Sequence, residues 1–426
     1  MAYQNRWSNV LADCDNMPPI MPEDKPIQRL NQLQRLFLRN GLWRRFYLKH
    51  RKTMRSAIVE NVVRMLSCGR HIRGITVYQC SNPDCQLRKH VPFTCKSRFC
   101  PSCGKKLTDQ WVEQQKAVMP DCPWQHITFT MPDALWELFR YNRHLLNDLS
   151  RLSAGVILKV GKKQKVLVGI FTVLHTFGRS LTWNIHIHLS VTRGGITPDG
   201  KRWKPLYFSG ASLMPQWRYA IIDLFRAAWD RGQLTLPSAL KAQCPNRATF
   251  NCWLDSHYQK HWVVHFAKAC ANAERNIHYL GRYLKRPVIS MNRLPKKDPD
   301  GKISFRYLDH RTKRYRRFRC TQENFLKRLL QHIPDKHFRM IRYYGFLANR
   351  VRSKYLPKVY NLLNQPERNA LEIRWPELMK SSFGLDPLCC PRCGAQLERL
   401  RILPGKPLTG LLTIHDHWAT RQAIAA

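Results

Sequence analysis

Apolar runs of about 18 or more residues, the length needed to cross a bilayer, are missing from the 426-residue chain, and its first residues lack the charged and apolar regions of a secretory signal. A soluble, cytoplasmic protein without a membrane partner is the expectation. Internal repeats and low-complexity tracts are missing too, so a solenoid is excluded and the charge is not gathered in a tail. No GxxxxGK[ST] run occurs, which excludes a fused P-loop helicase. Acidic residues are scarce: 28 Asp and Glu stand against 72 Lys and Arg. A formal net charge of +44 repels itself unless the surface meets a polyanion, and nucleic acid is the natural one.

What is present divides along the chain. Leu36, Leu38, Trp43 and Phe46, then Val59, Val62, Val63 and Leu66, recur at helical spacing among arginines and predict a basic helical N-terminal region. QHITFTM (residues 125–131) alternates as a strand and stops at Pro132, after which Asp133 can cap a long helix carrying Leu135, Leu138, Phe139, Leu145 and Leu149. Residues 165–175 and 182–192 read as an antiparallel hairpin around a turn at Gly178, with a second turn expected at Gly194 and Gly195. A short strand over 262–266 and a helix over 273–285, stopped by Pro287, follow.

Six of the 15 cysteines fall between Cys68 and Cys103, which favours metal over disulfides. Cys80-x4-Cys85 and Cys100-Pro-Ser-Cys103 stand like the two knuckles of one zinc ribbon, because tetrahedral zinc takes two ligands from each of two tight turns. Cys95, Cys68 and His90 are further candidates. Lys96, Arg98, Lys105 and Lys106 would give such a module a basic surface for DNA, or a merely solvated one. Cys390-x2-Cys393 is half of a second site, which His415 and His417 would complete, or else a turn without metal.

The segment around His186 and His188 alternates strictly, with Trp183, Ile185, Ile187, Leu189 and Val191 on one face and both histidines on the other. Cα atoms two apart on a strand lie roughly 6.6 Å apart, so two imidazoles can converge on one cation and leave positions open for substrate. His175 is a third ligand if the loop from Gly178 to Trp183 stays outside the ladder. Ser190 stands where a histidine-triad hydrolase would need a third histidine. Tyr279 and Tyr283 are four apart and share a helix face, with Arg275, Arg282 and Arg286 nearby for phosphate. A tyrosine hydroxyl of pKa near 10 becomes a useful nucleophile when the phosphate it attacks is polarised. Two half-buried aromatics on an amphipathic helix would be the plainer account.

These motifs together resemble the HUH endonuclease superfamily, and within it the two-tyrosine rolling-circle transposases of the insertion sequence ninety-one family. The run from Cys95 to Cys103, TFTMP (128–132), VLHTFGRSLTWNIHIHLSVTRGG (173–195), YLGRYLKRPVISMNRL (279–294), FRYLDH (305–310) and HFRMIRYYGFLANR (337–350) carry the resemblance. Asn184 and Phe177 depart from it, outside the histidine pair. The resemblance implies an α+β fold whose antiparallel sheet is flanked by helices, Mg²⁺ or Mn²⁺ at His186, His188 and His175, structural Zn²⁺, and nicking and transfer of single-stranded DNA at transposon ends and targets through a 5′-phosphotyrosine.

The domain division expected is 1–66 basic helical, 67–115 zinc-binding, 116–292 catalytic with the tyrosine helix, 293–380 DNA-contacting, and 381–426 a tail with the second cysteine knuckle. Seven of the fourteen residues from 306 to 319 are Lys or Arg. Arg314, Arg316 and Arg317 lie there beside Tyr307, Tyr315 and Phe318, a mixture suited to a phosphate backbone and stacked bases. A replication initiator, a relaxase or a non-catalytic zinc-ribbon DNA binder are the competing assignments.

Overall fold

The computed structural model describes residues 30–274, 277, 288–289, 296–297, 301–309, 312–369 and 371–421. Three helices open it: α1 (Gln32–Leu38), α2 (Leu42–His50) and α3 (Ser56–Leu66). The side chain of Asn31 caps α1 by accepting from the backbone of Leu33 and Gln34. A small sheet begins with β1 (Gly74–Cys80) and β2 (Arg88–Pro92), and the long α4 (Pro101–Val118) follows.

The central sheet is antiparallel in every pairing. In spatial order it runs β11 (Ile341–Gly345), β4 (Leu167–Phe177), β5 (Trp183–Ile196), β3 (Trp124–Phe129) and β7 (Val264–Phe266), with the short β6 (Trp203–Pro205) on β5. One face is mostly apolar. Ile127, Phe129, Ile170, Leu174, Ile185, Ile187, Leu189 and Val191 are buried there against α5 (Ala134–Tyr141), α6 (Leu146–Lys163), α7 (Gly210–Asp230) and α8 (Arg247–Tyr258). Alternation puts the other residues of each strand on the opposite face. At one end of that face Trp124, Phe171 and Val173 pack with Trp111 of α4, with Phe346 just after β11, and with Val359 and Tyr360 of α10 (Arg352–Leu362). The histidines occupy the other end.

The expected α+β class, an antiparallel sheet with flanking helices, is the fold observed. Two local expectations are corrected. Gly194 and Gly195 do not turn the chain; β5 runs through them, and their role is close approach. A Cβ on Gly194 would lie 2.5 Å from Trp203 Nε1, and one on Gly195 would lie 2.2 Å from the Leu167 carbonyl oxygen. The single helix after Asp133 is two helices. Asp133 does cap the first, accepting from Ala134 N at 2.9 Å. Buried Asn142 then breaks it, donating to the Leu138 and Thr235 carbonyls and accepting from Thr235 N.

A hairpin of β9 (Ile303–Leu308) and β10 (Tyr315–Cys320), with β8 (Lys296–Lys297) on β9, precedes α9 (Gln322–Leu330). Phe305, Phe325 and Leu329 join Phe37, Trp43 and Phe46 in a second buried cluster. After α11 (Trp375–Phe383) the chain returns to its beginning: β12 (Leu397–Pro404) pairs antiparallel with β1, and α12 (Leu408–Arg421) packs on α2 and α3.

β11 closes on β4 at Gly345, which adopts φ +62° and where a Cβ would meet the Val168 carbonyl oxygen at 1.7 Å. Gly345→Ala is expected to destabilise the chain by roughly 2–4 kcal/mol, combining left-handed strain with overpacking. Urea unfolding measures this, and an unchanged midpoint would mean that β11 unfolds apart from the rest of the sheet.

Candidate metal centre and tyrosine segment

The β4–β5 ladder sets the centre. Its register pairs His175 with His186 and Val173 with His188, while Phe177 opposite Trp183 leaves residues 178–182 outside the ladder. That is the wide loop His175 needs to reach the pair. The ligand atoms of His175, His186 and His188 all lie within 4.8 Å of one another. His175 and His188 are buried and His186 is half-buried.

Hydrogen bonds orient the rings. His186 Nδ1 lies 3.2 Å from both the carbonyl oxygen and the amide oxygen of Asn184. Both are acceptors, so Nδ1 carries the proton and Nε2 the lone pair. Asn184, where the sequence departs from the family pattern, thus fixes a tautomer. His188 Nδ1 lies 3.1 Å from Nε2 of His126, whose ring stacks on it at 5.2 Å. Burial pushes His186 down to about 4 and His126 to about 3, and lowers His188 well below the usual histidine range. Neutral imidazoles are what a cation requires of its ligands.

His126 escaped sequence reasoning. Its signal was its parity in QHITFTM, on the face opposite Ile127 and Phe129. What placed it beside His188 is the pairing of β3 with β5, which sets His126 against Ser190 and Thr128 against His188. The next strand extends the row, with exposed His265 opposite Thr128.

Tyr279 and Tyr283, with Arg275, Arg282 and Arg286, lie outside the described residues. The chain leading to them is described. Cys270 bridges to Trp124, Ala273 N donates to Asp121, and Ala273 and Ile277 are buried with Trp124, Phe171 and Val173. Ile277, two residues before Tyr279, therefore packs on the face of the sheet that carries the histidines.

The cysteines form two clusters and not one ribbon. Cys68, Cys95, Cys100 and Cys103 come together, and Cys80 and Cys85 meet Cys390 and Cys393; each set of sulfurs lies within 4.8 Å. The correction has a topological cause: β2 carries the chain away from Cys85, and the β1–β12 pairing brings the tail knuckle to it. His415 does not complete the tail pair; its ring accepts from Trp43 Nε1 at 2.7 Å. In the first cluster Cys100 caps α4, whose N-terminal dipole favours thiolates. Hydrogen bonding from Cys100 holds the Cys103 thiol low, while Cys100 and Cys103 push Cys95 up.

In the basic hairpin Arg314, Arg316 and Arg317 are exposed, with Arg316 paired to Asp309 at 3.0 Å. Arg317 lies directly opposite Arg306, whose guanidinium sits 5.2 Å from the ring of exposed Tyr315. No helix among the described residues is long and apolar enough to cross a membrane.

Known proteins resemble the chain over most of its length. The family model described as a putative transposase matches residues 169–354, and that described as a transposase zinc-binding domain matches 40–131. The chain is 41% identical over 395 residues to the transposase for insertion sequence element IS801 of Pseudomonas savastanoi pv. phaseolicola, covering 92% of this chain and 95% of the relative. It is 31% identical over 335 residues to the putative transposase y4qJ of Sinorhizobium fredii (strain NBRC 101917 / NGR234), covering 75% of this chain and 84% of that one. No solved structure matches. The chain belongs to the insertion sequence ninety-one family of transposases, with that family's N-terminal zinc-binding domain.

Proposed function

We propose that this transposase nicks and transfers single-stranded DNA through a 5′-phosphotyrosine in the manner of HUH enzymes, supporting rolling-circle transposition. The observation that carries the reading is the convergence of His175, His186 and His188 on one sheet face, with the chain entering the tyrosine segment across that same face. Three imidazoles with open positions beside them suit a catalytic cation, and an all-nitrogen set favours Mn²⁺ over Mg²⁺, which prefers oxygen. Such an ion, when bound, would polarise the scissile phosphate.

The protein's own groups do the rest. The hydroxyl oxygen of Tyr279 or Tyr283 forms a bond to phosphorus as the bond from phosphorus to the 3′ oxygen breaks, and that oxygen leaves as a 3′-hydroxyl. The phosphodiester is exchanged and not hydrolysed, so attack by another 3′-hydroxyl rejoins the strand and frees the tyrosine. Asn184 and His126 hold the imidazoles of His186 and His188 in place. Arg306 and Arg317, set opposite each other across the hairpin, offer a phosphate backbone two adjacent cations, and Tyr315 beside them offers a stacking face. Zinc at Cys68, Cys95, Cys100 and Cys103 would be structural, joining α3 to the start of α4.

Four tests follow. His186→Ala or His188→Ala should abolish nicking of single-stranded oligonucleotides from the element ends, with their binding nearly unchanged in a gel-shift assay; equal loss of both would sink the division between cleavage and docking. His126→Phe should weaken Mn²⁺ binding about 10–100-fold, read by electron paramagnetic resonance, while the protein stays folded. Tyr279→Phe with Tyr283→Phe should leave no covalent protein–DNA adduct on a denaturing gel, whereas each single variant should retain a partial reaction. An adduct formed on one tyrosine alone, with the other freely replaceable, would make this a one-tyrosine enzyme. Cys100→Ser with Cys103→Ser should release zinc and unfold the N-terminal helices, whose aromatic core shares these cysteines; unchanged zinc content would contradict that ligand set.

A further inference from the structure

The cluster that joins the two ends of the chain has no part in the strand-transfer chemistry, and the zinc-binding family match, 40–131, reaches only half of it. Cys80 ends β1 and Cys85 follows in the turn before β2, whereas Cys390 and Cys393 lie 305 and 313 positions away from Cys85 and Cys80 respectively, in the turn before β12. The sulfurs of Cys80 and Cys393 are 3.4 Å apart and those of Cys85 and Cys390 are 3.7 Å apart. A tetrahedron of Zn–S bonds near 2.3 Å separates its sulfurs by about 3.8 Å. The two turns are also built as knuckles. In the first, Cys85 N donates to Asn82 O at 3.1 Å, and in the second Gly394 N donates to Cys390 O at 2.9 Å and Cys390 N to Ala395 O at 2.8 Å.

Packing alone does not account for this lobe. Its buried residues are Cys80, Cys85, Cys390 and Leu397, with Tyr78, Leu87 and Ala395 half-covered around them. A core that small, made mostly of thiols, needs a further bond to hold it. Outside the β1–β12 ladder, which stops at Cys80 and Leu397, the two turns meet through few polar contacts: Ser81 N donates to Gln396 O at 2.9 Å, Lys89 Nζ to Pro387 O at 2.9 Å, and Arg392 to Cys85 O at 3.2 Å. We propose that Cys80, Cys85, Cys390 and Cys393 hold a second structural zinc, which fastens the C-terminal knuckle to the N-terminal hairpin and makes the zinc-binding module from both ends of the chain.

The full-length, zinc-loaded protein tests this through its own reactivity. Cys389 and Cys393 are both exposed, so unligated thiols at the two positions would react alike with pulses of N-ethylmaleimide. The expected result, read by peptide mass spectrometry, is that Cys393 reacts at least about tenfold more slowly than Cys389, a metal-bound thiolate being a poor nucleophile, and that a chelator removes the difference. Equal rates in the zinc-loaded protein overturn the proposal; so does a protection that survives chelator and yields only to a reductant, because that would be a disulfide. Zinc content supplies the second readout. Two ions per chain are expected from the two clusters, one after Cys390→Ser with Cys393→Ser, and two after Cys389→Ser. A double variant that keeps both ions refutes the assignment, and if that variant fails to fold, the alkylation experiment still decides.

Discussion

The pairing of β4 with β5 is the constraint on which the rest depends. Because side chains alternate along a strand, a slip of one residue would turn Ile185, Ile187, Leu189 and Val191 away from the helices and bury the histidines among them. The apolar face enforces the register with eight strand residues at or near zero exposure, and the histidines are aligned as a by-product of that burial. The centre is thereby preorganised by the hydrophobic effect acting on the far side of the sheet. Its histidines need no separate scaffold.

The same economy explains why the site tolerates three imidazoles side by side. Burial removes the water that would stabilise the charged forms of His186 and His188, so these two rings stay neutral. Each ring then needs an acceptor or donor to fix its orientation, which Asn184 supplies to His186 and His126 to His188. On the proposed reading, a chain at +44 would gather phosphate by its surface and meet it with rings, those of His186 and His188, that are themselves uncharged.

Much of this was legible in the residues. Alternation exposed the central strands and put His186 and His188 on one face, because that period is local. His175 depended on the width of one loop, a local question with two answers. What was hidden required knowing which strands lie side by side: His126 became relevant only through the β3–β5 pairing, and Gly194 and Gly195 looked like a turn because sequence cannot say that Trp203 and the Leu167 carbonyl press against them. The cysteines misled for the same reason. Proximity along the chain joined Cys80 and Cys85 to Cys100 and Cys103, whereas the fold sends one pair to the tail. The tyrosine segment, the most specific motif in the sequence, lies outside the described residues.

The pairing of β12 with β1 also has a consequence in time. A ribosome adds roughly 5–20 residues each second, so the 305 positions between Cys85 and Cys390 correspond to about 15–60 s of synthesis. Throughout that interval β1 has an open edge and the first knuckle waits with bare thiols, while the central sheet is being completed. The hairpin acquires its outer strand only when those 305 positions have been read. A product cut short by a frameshift or a broken transcript would keep that edge open, exposed to proteases and chaperones as an intact chain is not.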